Sequence, residues 1–501
     1  MSSAAGEPAS VSQGYAKIDG AMRPSPSGRY AVPAFPLVLP MRPVSLPGRP
    51  PRAPAGVTPA RHAAAEILAD LRNGLLLDPA FERRAAGLDG RDRRWLQELV
   101  YGLLRRRAWT DTVLEGRVRG GLGALDADLV DLLRLGVQQL VAMDSVPAYA
   151  AINQTVELAK HRHRAGAGAL ANAVLRRVDR DRAASGVDAL VPPPPADRVD
   201  RLALEYSHPH WLVARWIARW GADEAERLLA ANNAEAPTVA RPYGADAAAL
   251  ADALGADGVP VGPAPEGAVW PPGSVALGRG AAGLTELDAF RRGLFHVQDP
   301  ASTWVTVYAA FGAGATVADL CAAPGGKGLE LARTAGRVLS GDRAPARLAR
   351  VAANVRRLGA PNVHPFVGDA TAVPLGGGSV DGVLVDVPCT GTGTFRRHRD
   401  ARWRIQPSDL AVLPAEQRGI LAAAARLVRP GGLLVYSTCS VEREENDEPV
   451  DAFLAANPGW AVEAPPEGLV PSALLDAGRL RVLPQRHGSD GAFAARLRRA
   501  A

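Results

Sequence analysis

Residues 315–327 read A-T-V-A-D-L-C-A-A-P-G-G-K, and their reading decides the fold. Thr316, Val317, Ala318 and Leu320 form a short β-branched and apolar run that ends in small residues and Pro-Gly-Gly. Leu329, Leu331 and Ala332 then begin a helical pattern, which predicts a strand, a tight loop and a helix start. In an open α/β sheet ligands sit at that junction, because a loop poor in side chains lets backbone N–H groups approach them. An ordinary Gly-rich turn has the same look, and the residues downstream of Lys327 decide between the two.

From about residue 298 the pattern alternates strand and helix, the mark of a doubly wound, mostly parallel sheet. Strands are predicted at 317–320, 337–341, 363–367, 380–385 and 432–436. They end in Asp319-Leu320-Cys321, Asp342, Asp369, Asp386 and Ser437-Thr438-Cys439. The carboxyl ends of parallel strands line one crevice, so these side chains are expected to converge there. Asp342 lies about 20 residues past the first strand, the spacing at which a carboxylate meets ribose hydroxyls. Asp369 is placed to reach adenine. Gly328 after Lys327 rules out the end of a phosphate loop, and the glycines do not match a dinucleotide fingerprint. A nucleoside without phosphates fits better, namely S-adenosylmethionine, its amino-acid end meeting the backbone of 322–326 and the charge of Lys327.

The other two cysteines specify the chemistry. Cys389 sits in D-V-P-C-T-G (386–391), after the fourth strand, and Cys439 in S-T-C-S-V-E-R-E-E-N-D (437–447), after the fifth. Carbon 5 of cytosine is a poor nucleophile, and adding a thiolate to C6 makes it enamine-like. The C5 proton must later leave and the thiol be expelled, which gives a second group something to do. Any single cysteine can be a buried small hydrophobe. Here every cysteine of the chain falls on a strand end of one sheet.

The rest of the 501 residues frames this domain. Lys+Arg number 58 against Asp+Glu 52, a net +6 that suits a polyanionic partner, and only Lys17, Lys160 and Lys327 are lysines. Three scattered cysteines make no disulfide framework, so a reducing cytoplasm is expected. No apolar run approaches membrane-spanning length. Residues 1–56, rich in Pro, Ser, Gly and Arg, read as a disordered tail within which Met22 and Met41 are further candidate starts. At 57–185 an all-α bundle is expected. Thr58-Pro59 forms a helix start, Arg91 to Arg107 a helix ending in three arginines, and further helices are read at 127–143, 149–160 and 168–178. Pro192 to Pro195 mark a linker, and 186–297 as a whole reads as a small α+β connector. Within it Leu212, Trp216 and Trp220 share a helix face and read as core rather than as a base-stacking surface.

Two resemblances sharpen this picture. The segments at 92–107 (D-R-R-W-L-Q-E-L-V-Y-G-L-L-R-R-R), 147–160 and 170–177 resemble the transcription-antitermination factor NusB, which implies RNA or partner binding. D-L-C-A-A-P-G-G-K (319–327), D-V-P-C-T-G-T-G-T-F-R-R-H (386–398), S-T-C-S with E-E-N (437–446) and H-G-S-D-G-A-F (487–493) resemble RNA (cytosine-5)-methyltransferases. With the NusB-like start, 58–501 looks like the 16S ribosomal RNA methyltransferase family called RsmB, Sun or Fmu. The resemblance implies that Cys321, Ala322, Ala323, Pro324, Gly325, Gly326 and Lys327, with Asp342, Asp369 and Asp386, hold S-adenosylmethionine. It implies that Cys439 is the nucleophile, that Cys389 assists product release, that Asp386 also touches the cytosine, and that Arg396, Arg397 and His398 face RNA phosphate. The expected partner is 16S rRNA, free or in a partly assembled subunit, and the expected state a monomer. Arg399 stands where the family usually has proline, Ala492 where an aromatic is usual, and Pro242-Tyr243 interrupts a stretch that commonly reads R-x-N. Two other readings stay open: an inactive NusB-like RNA-binding factor, and a DNA cytosine-5 methyltransferase, which attacks from the proline-cysteine after the fourth strand.

Overall fold

The computed structural model describes residues 53–163, 166–278 and 283–501, so the expected tail lies outside it except for its last four residues. The helical region packs Pro59–Arg72, Leu77–Ala85, Gly90–Glu115, Ala127–Ala142, Ala148–Arg162 and Ala167–Ser185 around one apolar core. Leu96, Leu99, Val100, Leu103 and Leu104 are all buried there, as their helical spacing dictates. Thr58 occupies the N-cap position, but its hydroxyl accepts from the Arg61 guanidinium (3.2 Å) and not from a backbone N–H.

The helix expected to stop at Arg107 runs on to Glu115 through a kink at Arg106 (φ −112°, ψ 17°). The Leu104 carbonyl accepts from the Trp403 indole (2.9 Å), and the Ala108 N–H donates to the Ser207 hydroxyl (2.9 Å). Side chains that enter a helix's hydrogen-bond ladder bend it. The three arginines therefore lie in mid-helix, where no helix terminus explains them.

In the connector, Val261–Gly262, Val275–Leu277, Thr238–Pro242 and Phe295–Val297 form an antiparallel sheet in that order. Arg241 and His296 reach from it to Glu330 of the next region (3.3 and 2.8 Å). Burial pushes Glu330 up, yet His296, Arg241 and Arg333 hold it down at about 2. Arg333 donates to the Pro242 carbonyl and lies 4.9 Å over the Tyr243 ring, so this unusual pair packs against the catalytic region. Leu212 and Trp216 of the helix His210–Trp220 are buried as expected, with Trp220 half-buried.

The third region is built on a nine-stranded sheet. Val363–Val367, Arg337–Asp342, Thr316–Asp319, Val380–Asp386 and Val428–Thr438 lie side by side in that order, all parallel. Ala492–Arg499 pairs antiparallel with Val428–Thr438 and carries Arg479–Val482 and Trp460–Val462; Leu475–Asp476 completes the edge. The five predicted strands thus form the parallel part of the sheet, and antiparallel strands extend it at one edge. Neighbouring residues point to opposite cores. Val317, Leu384 and Val435 meet Trp304, Tyr308 and Leu329 on one face, while Ala318, Val383 and Tyr436 meet Ile420, Leu421 and Phe453 on the other. Both faces are covered, so the strands read as continuous apolar runs. Strand Thr316–Asp319 sits between Arg337–Asp342 and Val380–Asp386, which makes it the switch point where a crevice opens.

Candidate active site

One cleft at that switch point is lined by Cys321, Ala323, Asp342, Asp369, Asp386, Cys389 and Cys439. Within it the Cys389 and Cys439 sulfurs lie 3.3 Å apart. Parallel strands 380–386 and 428–438 are in register at Asp386 and Ser437, so the two loops that carry the thiols leave the sheet side by side. The Val387 N–H donates to the Ser437 carbonyl (3.0 Å) and the Gly393 N–H to the Cys439 carbonyl (3.0 Å). A Cβ on Gly393 would stand 2.6 Å from that carbonyl oxygen and 2.7 Å from Gly491, so only glycine allows the approach.

Sequence reasoning missed the residues that lock the loops together. The Glu445 carboxylate accepts from the Thr390 N–H (2.8 Å), the Thr390 hydroxyl and the Gln417 amide (3.1 Å), and Gln417 also donates to the Pro388 carbonyl (2.9 Å). Asn446 takes the Thr438 hydroxyl and donates to the Ser440 carbonyl (2.9 Å). The E-E-N that comes after S-T-C-S was the available signal. Further out, Glu442 accepts from the Trp216 indole (2.9 Å) and the Arg215 guanidinium, which ties the connector to the same loop.

Charge in the cleft is arranged unequally. The hydrogen bond to Cys439 pushes Cys389 well above an ordinary thiol, and burial and the carboxylates of Glu445 and Asp386 add to this. Cys389 therefore keeps its proton at neutral pH. Burial also raises Cys321 to about 12, with Asp319, Asp386 and Asp342 nearby, which makes it an inert thiol. Burial opposes charge on Lys327, but Asp386 at 2.7 Å, with Cys439 and Asp319 beyond, holds its pKa above the usual value. Asp386 also accepts from the Ser437 hydroxyl (2.8 Å).

The loop residues fall in three groups. Ala322 is buried, its N–H donating to the Gly341 carbonyl (2.9 Å); Pro324 and Gly325 make the turn, Gly325 at φ +107°; Gly326 and Lys327 open the helix Gly326–Leu331. Asp342 accepts from Arg347 (2.9 Å) and the Ala344 N–H (2.9 Å), while the Ala323 N–H approaches its second oxygen at 3.4 Å. Asp369 lies two residues past its strand and is exposed; hydrogen bonds from the Thr371 hydroxyl and N–H hold it below the usual carboxylate range. Asp319 is enclosed beneath the helix start, accepts no hydrogen bond of ordinary geometry, and is pushed up by burial to about 7.

Arg396 is 7% exposed and bridges Asp490 (2.6 Å) and Asp299 (2.9 Å). Arg397 pairs with the same two carboxylates (3.0 and 2.7 Å) and donates to the Pro237 carbonyl. Their charges are thus neutralised by carboxylates of the protein itself. His398 remains exposed, 3.7 Å from Asp78. Ala492, another of the departures, is buried in its strand.

The model of the family described as 16S rRNA methyltransferase RsmB/F matches residues 310–498, and that of the NusB family matches 58–180. A ferredoxin-like domain of RsmF/B-like methyltransferases matches 208–267. A Synechocystis protein named "Probable ribosomal RNA small subunit methyltransferase B" is 34% identical over 455 residues, 88% of this chain and 99% of the relative. The chain belongs to the RsmB/F family of 16S rRNA methyltransferases. Ribosomal RNA small subunit methyltransferase B of Sodalis glossinidius is 33% identical over 87% of the chain and 96% of its own length. The crystal structure of PH0851 superposes with a TM-score of 0.73 at 26% identity, covering 88% of this chain and 99% of that one.

As an RsmB/F member the chain uses S-adenosylmethionine, and its cleft fits that molecule. Asp342 at the end of the second strand lines the cleft, Asp369 is open to solvent beside it, and Leu320, Ala370 and Ile420 offer an apolar wall. A Cβ on Gly326 would meet Gln298 at 2.9 Å and one on Gly325 would meet Val351 at 3.2 Å, so the turn is as close to its surroundings as a side-chain-free loop allows.

Proposed function

We propose that this RsmB/F-family enzyme methylates carbon 5 of a cytosine in small-subunit rRNA through a covalent bond between Cys439 and cytosine C6. The observation that carries the reading is the pair of thiols at 3.3 Å, of which Cys389 holds its proton. A cysteine thiolate is the nucleophile, and both sulfurs of the pair stand in the cleft where it is needed. The resemblance to RNA (cytosine-5)-methyltransferases gives the attack to Cys439; in the DNA-type assignment the cysteine of 386–389 would attack.

In this reading Cys439 adds to C6 while Asp386, oriented by Lys327 and Ser437, accepts a hydrogen bond from the cytosine amine. S-adenosylmethionine, held by Cys321–Lys327, Asp342, Asp369 and Asp386, supplies the electrophilic methyl that the enamine-like carbon 5 accepts. Once the Cys439 sulfur is bonded to carbon it is neutral and accepts no proton from Cys389. The largest cause of the raised Cys389 pKa then disappears. Cys389 thereby becomes able to take the C5 proton when release requires it. The 57–185 bundle and 186–297 connector hold RNA and the 298–501 domain performs the chemistry, as a monomer acting on 16S rRNA in the cytoplasm. Among the described residues no helix is long and apolar enough to cross a membrane, and the three cysteines are free.

Bisulfite sequencing of small-subunit rRNA tests this reading. A deletion strain should lose one 5-methylcytosine, the wild-type chain should restore it, and Cys439→Ala should not. An unchanged methylcytosine pattern in the deletion strain would remove the proposal.

A further inference from the structure

Arg396 and Arg397 are neutralised by Asp299 and Asp490, but the groove they help to line holds further arginines that have no role so far. A groove of about 1200 Å³ runs between the helix Gly90–Glu115 and residues 396–399, and Arg94, Arg105, Arg106 and Arg399 line it with Tyr101. Arg399 is only 7% exposed, yet its Nε has no hydrogen-bond partner among the described residues, and its guanidinium lies 5.7 Å from the centre of the Tyr101 ring. The Arg105 Nε is likewise buried and, among the described residues, unpartnered. Arg402, fully buried behind them, donates to Asn233 Oδ1 (2.7 Å) and to backbone carbonyls, all neutral acceptors. Burial pushes Arg399 down to about 10, with Arg105 adding to the effect. Acidic groups at the groove are Asp78, Glu98 and Glu235. Asp78 takes the Tyr101 hydroxyl (3.0 Å), and Glu235 acts on Arg399 through its charge.

Buried guanidinium groups are normally paired, because an uncompensated charge is costly to take out of water. Arginines crowded together with open donors are stabilised when an anion arrives from outside. Arginine's planar fork suits phosphate, and a groove walled by two elements suits a strand more than a single ion. We propose that this groove is a binding track for the phosphodiester backbone of the RNA substrate, gripped by Arg94, Arg105, Arg106 and Arg399. The proposal rests on the RNA methyltransferase reading and extends the phosphate contacts first expected at Arg396, Arg397 and His398 to Arg399 and to the facing helix.

The test measures binding of a fluorescent 16S rRNA fragment to the full-length protein by anisotropy across a range of KCl concentrations. Each phosphate contact on a single strand contributes about 0.7 to the slope of log K against log salt. Arg105→Ala/Arg399→Gln should weaken binding about tenfold at low salt and flatten that slope by about 1.4. Arg399→Gln alone should unfold at a temperature no lower than the parent, since it removes a cation whose burial is costly. Should the double variant fail to fold, exposed Arg94→Ala carries the same test, with a slope change of about 0.7. Unaltered affinity and slope in a folded variant would overturn the track while leaving the methyltransferase reading intact. Displacement of the RNA by millimolar pyrophosphate would also overturn it, by revealing a small-anion pocket. Absence of rRNA methylation by the parent would sink the enzymatic reading instead, and the slopes would still judge the groove.

Discussion

Asp319→Asn should make the protein more stable, and increasingly so as pH rises. The parent carboxyl is fully enclosed under the start of helix Gly326–Leu331, and burial lifts its pKa from 3.8 to about 7, with Lys327 pulling the other way. A carboxyl that holds its proton more tightly when folded stabilises the fold in acid and loses that advantage as pH rises through the folded pKa. The window runs from about pH 4 to pH 7. At about 1.4 kcal/mol per pH unit, the ionised group costs about 4 kcal/mol at pH 8.5 and about 1 kcal/mol at pH 4.5. Asparagine has nearly the same shape and no titration, so the gap between variant and parent should widen by about 3 kcal/mol over that range. Urea unfolding followed by tryptophan fluorescence at pH 4.5, 6 and 8.5 measures it. Parallel pH profiles for the two proteins would refute the argument, because they would mean that Asp319 is charged in the fold and compensated.

Cys389→Ala should leave Cys439 able to attack but remove the group that takes the C5 proton; turnover should fall about 10²- to 10⁴-fold while a protein–RNA adduct accumulates on denaturing gels. Glu445→Ala frees the Thr390 and Gln417 donors and loosens the Cys389 loop; turnover should fall about 10²-fold, with unfolding free energy lower by about 2 kcal/mol and partial rescue by Glu445→Gln, as steady-state kinetics and urea titration would record. Gly393→Ala forces a Cβ to within 2.6 Å of the Cys439 carbonyl; a lower melting temperature and a loss of methylation together are expected, and an active, undisturbed variant would contradict the close approach.

The parallel core of the fold was readable because β-branched runs closed by an acid or a cysteine recur along 316–439, and parallel strands necessarily put those ends on one side. That rule brought Cys389 and Cys439 together across 50 residues of sequence. It could not find partners that lie off the sheet. Arg396 and Arg397 looked like surface cations because the carboxylates that neutralise them, Asp299 and Asp490, lie 93 to 98 residues away. The helix through Arg105–Arg107 looked finished because its bend depends on Ser207 and Trp403, the latter 299 residues from Leu104. Glu445 stood in the E-E-N motif without a role, since only the fold shows that it faces the other loop.

The nucleophile can be identified directly with RNA carrying 5-fluorocytosine at the target position, which blocks loss of the C5 substituent and freezes the adduct. After incubation with S-adenosylmethionine, nuclease and protease digestion, mass spectrometry should find the modified nucleotide on the peptide that contains Cys439. The same nucleotide on the peptide that contains Cys389 would contradict the account.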